Sequence, residues 1–194
     1  MSSAFFVRHD HSSVELLFFG DVEPDSLASD PRTIDVWRAA ASKIPDKLRA
    51  IFIECSWPSG RPDELLYGHL TPDHLVAELV ALAKEVVNHR KRLGAPVTSG
   101  ERPRKRQKSG AVNDDEDLRH ALDGLSIYIM HCKDDMLESG EAPTTRHLIK
   151  GQVQKLLKAH QLGVQVECIE PGMRISELHT FARLSLFTYC STGI

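Results

Sequence analysis

An α/β layered domain is the fold class this sequence predicts, and three observations predict it. Short β-prone apolar runs alternate with segments whose apolar residues recur at helical spacing. The 194 residues, 41% of them hydrophobic, suffice for one sizeable core and are too few for two comfortable ones. No apolar stretch approaches the roughly 18 to 20 residues that span a bilayer, so membrane-spanning classes are set aside.

The elements follow in order. Phe5-Phe6-Val7 and Val14 to Phe19 are β-prone runs separated by the polar Arg8 to Ser13, a hairpin pattern that predicts strands near 3–8 and 14–20. Gly20-Asp21 ends the second run, and Pro24-Asp25-Ser26 marks a loop. Ile34, Trp37, Ala40, Ala41 and Ile44 recur at helical spacing and predict a helix near 33–44. A buried strand over 49–54 ends at Glu54-Cys55-Ser56. Thr71-Pro72-Asp73 places a capping hydroxyl, a proline at the first helical position and a carboxylate in the first turn, so a helix should run over 72–90. A strand over 125–131 ends at His131-Cys132-Lys133, a helix over 145–160 stops at Gly163, and a last strand covers 164–169. No internal repeat is evident.

Charge and cysteine usage narrow the classes further. With 24 Lys+Arg against 27 Asp+Glu the formal charge is −3, which argues against a nucleic-acid surface over the whole domain. Residues 95–117 change composition and read as a low-complexity insertion. Its basic run Arg102 to Lys108 fits a nuclear-localisation signal or a nucleic-acid patch. The acidic Asp114 to Asp117 offsets most of that charge and fits a plain solvated segment, so a nucleic-acid partner is not expected. The N-terminus has no basic segment before its apolar patch, hence no signal-peptide pattern. Cys55, Cys132, Cys168 and Cys190 form no C-x-x-C pair and read as reduced thiols of a cytoplasmic protein.

Reactive side chains gather at strand ends. Asp21 follows Gly20, Glu54 precedes Cys55-Ser56, His131 precedes Cys132-Lys133, and His69 sits just ahead of the capped helix. Loops at strand ends expose side chains on a rigid scaffold, which is where α/β sites are built. Asp and His are oxygen and nitrogen donors that a zinc-like ion accepts, and an acid beside a histidine can also move protons. Taken singly, each fits a turn-capping Asp or a half-buried His better than a site.

The series Phe18-Phe19-Gly20-Asp21-Val22-Glu23-Pro24-Asp25, Ile51-Phe52-Ile53-Glu54-Cys55-Ser56, Gly68-His69-Leu70-Thr71-Pro72 and Ile127-Tyr128-Ile129-Met130-His131 resembles the class-II cyclic-nucleotide phosphodiesterases of fungi and some other microbes. The resemblance runs from about Ser2 to Ile175, apart from the insertion. It implies the metallo-β-lactamase fold, an αββα sandwich, of which this chain would be the C-terminal half. It also implies metal-dependent hydrolysis of cyclic AMP to AMP, with cyclic GMP as a second candidate substrate. Asp21 matches the aspartate that bridges two metal ions, and His131 matches the last histidine ligand. Glu54 and His69 resemble the acid–histidine pair that related nucleases place beside a phosphate, where it hands a proton to the leaving oxygen. The implied cofactor is a divalent metal, foremost Zn2+, two ions in a complete enzyme.

One departure bears on this reading. The family signature His-x-His-x-Asp-His, which supplies most ligands of both metals, is absent. His9-Asp10-His11 falls in the hairpin instead. The expectation is therefore a truncated product or an incomplete gene model, inactive in isolation. The alternative is a non-catalytic remnant, or a regulatory or interaction module with a vestigial metal site. Residues 176–194 lie beyond the resemblance and have no reading from sequence.

Overall fold

A computed structural model describes residues 3–94, 118–133 and 144–175, together with the backbone of 184–189. The described elements are strands β1 (Ala4–His9), β2 (Glu15–Phe19) and β3 (Leu48–Glu54), helices α1 (Thr33–Ala41) and α2 (Pro72–Gly94), strand β4 (Ser126–Met130), helix α3 (Thr145–His160), and strands β5 (Gln165–Cys168) and β6 (Leu184–Tyr189). A 3-10 turn at Asp63–Leu65 interrupts the loop between β3 and α2. Each strand and helix read from the sequence is present, within one to four residues at its ends.

The six strands form one sheet in the order β5-β4-β3-β2-β1-β6. β1 and β2 pair antiparallel through a tight hairpin closed by the Val14 carbonyl, which accepts from His9 N–H at 2.9 Å. From β2 to β5 every neighbour is parallel, and a helix fills each crossover. These strands add in one direction across the sheet, so crossovers of the usual right hand place α1, α2 and α3 on the same face. Packing agrees. Leu17, Phe19, Ile51, Ile53, Ile127 and Ile129 share a core with Trp37, Leu75, Leu79, Leu82, Ile149 and Val153 of the helices.

Strand alternation sends the intervening residues to the opposite face. There Ala50, Phe52 and Tyr128 form a smaller cluster with Leu16, Met130, Ile169 and Ile175. Phe18, Phe52 and Tyr128 are register partners on three adjacent strands. Their rings stack into a ladder, with centroids 6.0 Å and then 5.0 Å apart.

Two helix ends are closed by devices that were not read from the sequence. α1 takes no cap from its own flanking residue. The Asp25 carboxylate instead reaches across the loop and accepts from the N–H groups of Arg32, Thr33 and Ile34 at 3.1, 2.9 and 2.8 Å. α3 ends at Gln161, in the left-handed conformation (φ 51°), whose N–H returns to the Leu157 carbonyl. Gly163, read as the stop, lies two residues further on and is also left-handed. α2 starts at Pro72 as read, and the Thr71 carbonyl accepts from Leu75 N–H. The Thr71 hydroxyl lies 2.9 Å from the ring nitrogen His74 Nδ1, a side-chain contact in place of the expected backbone cap.

The stretch after residue 175 supplies β6, antiparallel to β1, with Ala4 opposite Tyr189 and His9 opposite Leu184. The insertion at 95–117 lies outside the described residues. No helix among the described residues is long and apolar enough to cross a membrane.

Candidate metal and phosphate site

Three parallel neighbours, β2, β3 and β4, end side by side, and each delivers one polar residue to that end. Asp21 lies two residues past β2, Glu54 is the last residue of β3, and His131 directly follows β4. Topology thus joins positions that nothing local in the sequence connects.

His69 arrives by a different route. The loop after β3 folds back so that Ser56 and Trp57 N–H groups both donate to the Leu70 carbonyl, at 3.0 and 3.3 Å. Tyr67 and Gly68 are consecutive left-handed residues, at φ 54° and 77°. They turn the chain just before His69, and the buried side chains of Leu66 and Leu70 pin both flanks.

The four residues meet. His69 Nδ1 lies 2.9 Å from each oxygen of the Glu54 carboxylate. His131 Nδ1 is 3.4 Å from Asp21 Oδ1 and 3.9 Å from Glu54 Oε2. The two imidazoles face edge to plane, with centroids 5.1 Å apart. One donor atom each from Asp21, His69 and His131 falls within 4.8 Å of the others, a spacing that can hold a metal ion.

Burial grades these side chains. Glu54 is 1% exposed, whereas His131 is 46% and Asp21 71% exposed. A carboxylate at that depth needs partners on every oxygen, and Glu54 has them. Oε1 accepts from Val22 N–H at 2.9 Å, and Oε2 contacts the Ser56 hydroxyl. That hydroxyl also lies 2.9 Å from the His131 carbonyl, so its single proton serves one acceptor at a time and ties the ends of β3 and β4 together. Ser56 was not singled out from the sequence, and Glu-x-Ser closing a strand was the one signal available. His131 itself is left-handed, with φ 57°.

Two nearby thiols are held toward their protonated form. Burial pushes the Cys55 thiol well up, and the adjoining Cys132 and Glu54 reinforce it. The Cys168 thiol is raised by its hydrogen bond with Cys132 and then by burial. Reactive and metal-binding cysteines need the thiolate, which these surroundings disfavour. The donors that gather at the site are one carboxylate oxygen and two imidazole nitrogens. His9 ends β1, buried, with Nδ1 2.7 Å from Ser12 Oγ, at the opposite end of β2 from Asp21.

Trp57 directly follows Ser56. Its indole N–H donates to the Leu66 carbonyl at 3.3 Å, and the Arg61 guanidinium lies over its ring at 3.5 Å from the centroid.

Known proteins match this chain in both sequence and fold. The family of class-II cAMP phosphodiesterases matches residues 1–172. A 3′,5′-cyclic-nucleotide phosphodiesterase of Schizosaccharomyces pombe is 51% identical over 89 residues, 45% of this chain and 25% of that protein. One from Candida albicans is 29% identical over 185 residues, 90% of this chain and 38% of that protein. The solved structure of unliganded yeast PDE1 superposes with a TM-score of 0.59 at 24% identity, covering 86% of this chain and 38% of that one. That likeness identifies a metallo-β-lactamase-like fold, and the sheet with helices on one face is the part of it seen among the described residues. The chain thus spans a quarter to two fifths of the length of these relatives. A family match over nearly the whole length, together with the fold of a solved relative, leads to one conclusion: this chain belongs to the class-II cAMP phosphodiesterase family.

Proposed function

We propose that residues 1–175 are part of a cyclic-nucleotide phosphodiesterase that hydrolyses cyclic AMP to AMP, with cyclic GMP as a second substrate. The observation that carries this reading is the meeting of Asp21, His69 and His131 over the buried Glu54, at the common end of three parallel strands. The ion proposed is Zn2+, because one carboxylate and two imidazoles are donors it accepts. Three donors fit one ion with an open position, and the family signature that would complete a second ion is not in the sequence. When bound, such an ion polarises the phosphoryl oxygens and lowers the pKa of water.

The chain's own residues define the rest. Glu54 is fixed by Val22 N–H and Ser56, and it orients the His69 ring through Nδ1. That leaves Nε2 as the nitrogen from which a proton passes to the 3′-oxygen when water adds to phosphorus and the P–O3′ bond breaks. The mutual proximity of Asp21, His69 and His131 favours a second reading of His69 as a ligand. Glu54 then acts as the outer carboxylate that metal-binding histidines commonly use.

The tests follow. Calorimetric titration of the 194-residue chain with Zn2+ should show one weak site, lost in Asp21→Ala and in His131→Ala. If His69→Ala leaves affinity unchanged, His69 is the proton donor; a loss of 10- to 100-fold or more makes it a ligand. The chain alone should not hydrolyse cyclic AMP, and fusion to an N-terminal half bearing His-x-His-x-Asp-His should restore hydrolysis. Turnover by the isolated chain above a metal-only blank would overturn the half-site reading. Cytoplasmic residence belongs to the same proposal and is supported by the free thiols of Cys55, Cys132 and Cys168. The insertion at 95–117 is proposed to be a solvated segment dispensable for the site.

A further inference from the structure

The strand ends that carry the proposed metal site also carry two cations on a single aromatic platform. The Arg61 guanidinium lies 3.5 Å from the Trp57 centroid, and the Lys133 ammonium lies over the same ring at 4.9 Å. Both sit within cation–π reach, and the tighter contact is the stacked geometry that arginine prefers. The platform is anchored. Trp57 Nε1 donates to the Leu66 carbonyl at 3.3 Å, and Arg61 Nε donates to the Leu65 carbonyl at 2.8 Å. Lys133 is held by its backbone, whose N–H donates to the Ser56 carbonyl at 3.0 Å. Lys133 lies two residues past His131, and Trp57 adjoins Ser56, the residue that contacts Glu54.

Among the described residues neither Arg61 nor Lys133 makes an ion pair, although both are half-buried. Each cation keeps its donors beside the same ring, within 4.9 Å of its centroid. A polyoxygen anion suits such a pair, because its separate oxygens can accept from a guanidinium and an ammonium.

We propose that Arg61 and Lys133, presented by Trp57, form an anion site that takes the phosphate group of the nucleotide on its way into or out of the metal site. This deepens the phosphodiesterase reading and rests on it for the identity of the anion. Arg61 and Lys133 position the substrate; Trp57 carries them and does not itself stack on the base. Neither residue stands out by pattern, because Arg61 lies in a polar loop and Lys133 beside a cysteine.

The experiment uses the two indole N–H resonances of the chain, since it contains only Trp37 and Trp57. Trp37 is buried with its N–H on Glu78, so its resonance reports an intact fold. With metal removed by chelator, AMP, cyclic AMP, inorganic phosphate and adenosine are each titrated. The expected result is that the three phosphate-bearing probes move the Trp57 resonance, adenosine does not, and Trp37 stays still. Binding should weaken as salt rises. Lys133→Gln and Arg61→Gln should each weaken AMP binding about tenfold or more, the loss of one charge-assisted contact. Lys133→Arg should retain most of the affinity. A Trp57 resonance that adenosine moves as far as AMP overturns the proposal in favour of base stacking. Unchanged affinity in both Gln variants, with Trp37 undisturbed, also overturns it. Zn2+ is then added while the imidazole resonances of His69 and His131 are followed. If these fail to move while phosphate still shifts Trp57, the metal reading falls and the anion site stands. The opposite pattern removes the anion site alone.

Discussion

The two faces of the sheet are built from the same strands and are held in different ways. Toward the helices the strands present Leu17, Ile51, Ile53, Ile127 and Ile129, each at 0% exposure against side chains of α1, α2 and α3. Toward the other side they present the ladder Phe18–Phe52–Tyr128, whose outer rung Phe18 is 41% exposed. The helix face is a closed, mostly aliphatic core with Phe19 and Trp37 packed into it. The ladder face is a smaller cluster in which broad flat rings cover one another. A fully buried aliphatic side chain contributes about 1.5–3 kcal/mol from removal of its surface from water, so stability concentrates on the helix side.

That contrast can be tested in order of expected effect. Ile51→Ala, in the middle of the helix face, should cost about 2–5 kcal/mol in urea unfolding, because it removes buried methylenes and leaves a cavity. Glu78→Ala comes next. This buried carboxylate on α2 accepts from the Trp37 indole at 2.7 Å and from Asp25 N–H at 3.0 Å, and its removal orphans both donors, at about 1–3 kcal/mol each before relaxation. Its pH dependence has a definite sign. Burial raises the Glu78 carboxyl above its ordinary 4.5, against the pull of the Trp37 and Asp25 hydrogen bonds. A carboxyl raised in the folded state favours folding when protonated. Its contribution is complete below the ordinary value and is lost as pH rises through the folded one. The stability gap between the wild type and Glu78→Ala should therefore narrow from acid toward neutral pH; a widening gap would refute the assignment. Phe18→Ser should have the smallest effect, under about 1 kcal/mol, since much of that ring is already in water. Equal losses for Phe18→Ser and Ile51→Ala would erase the distinction between the faces.

Much of the architecture was legible because it depends on local pattern. The apolar runs, the Thr71-Pro72-Asp73 start and the glycine after Phe19 each act within a few residues, and the structure follows them. The meeting of Asp21, Glu54, His69 and His131 was legible only through the family resemblance, since the parallel order of β2, β3 and β4 is a tertiary fact. What the sequence hid acts at a distance or through backbone geometry. Asp25 caps a helix that starts eight residues later, and Gln161 adopts a conformation that glycine usually holds. The run Leu184 to Tyr189 is β-prone, but its partner β1 lies at the other end of the chain.

The backbone at His131 sets the proposed ligand against the local conformation. A left-handed φ costs an ordinary L-residue about 1 kcal/mol or more, which glycine escapes. If stability alone governed the position, a glycine would outcompete the histidine. The fold tolerates a mildly unfavourable residue at the mouth of the cleft, and under the proposed metal role the imidazole is what that conformation supplies. A lineage that lost its need for the site would be free to drift there toward glycine, while Glu54, bound into the fold on every oxygen, would stay in place much longer.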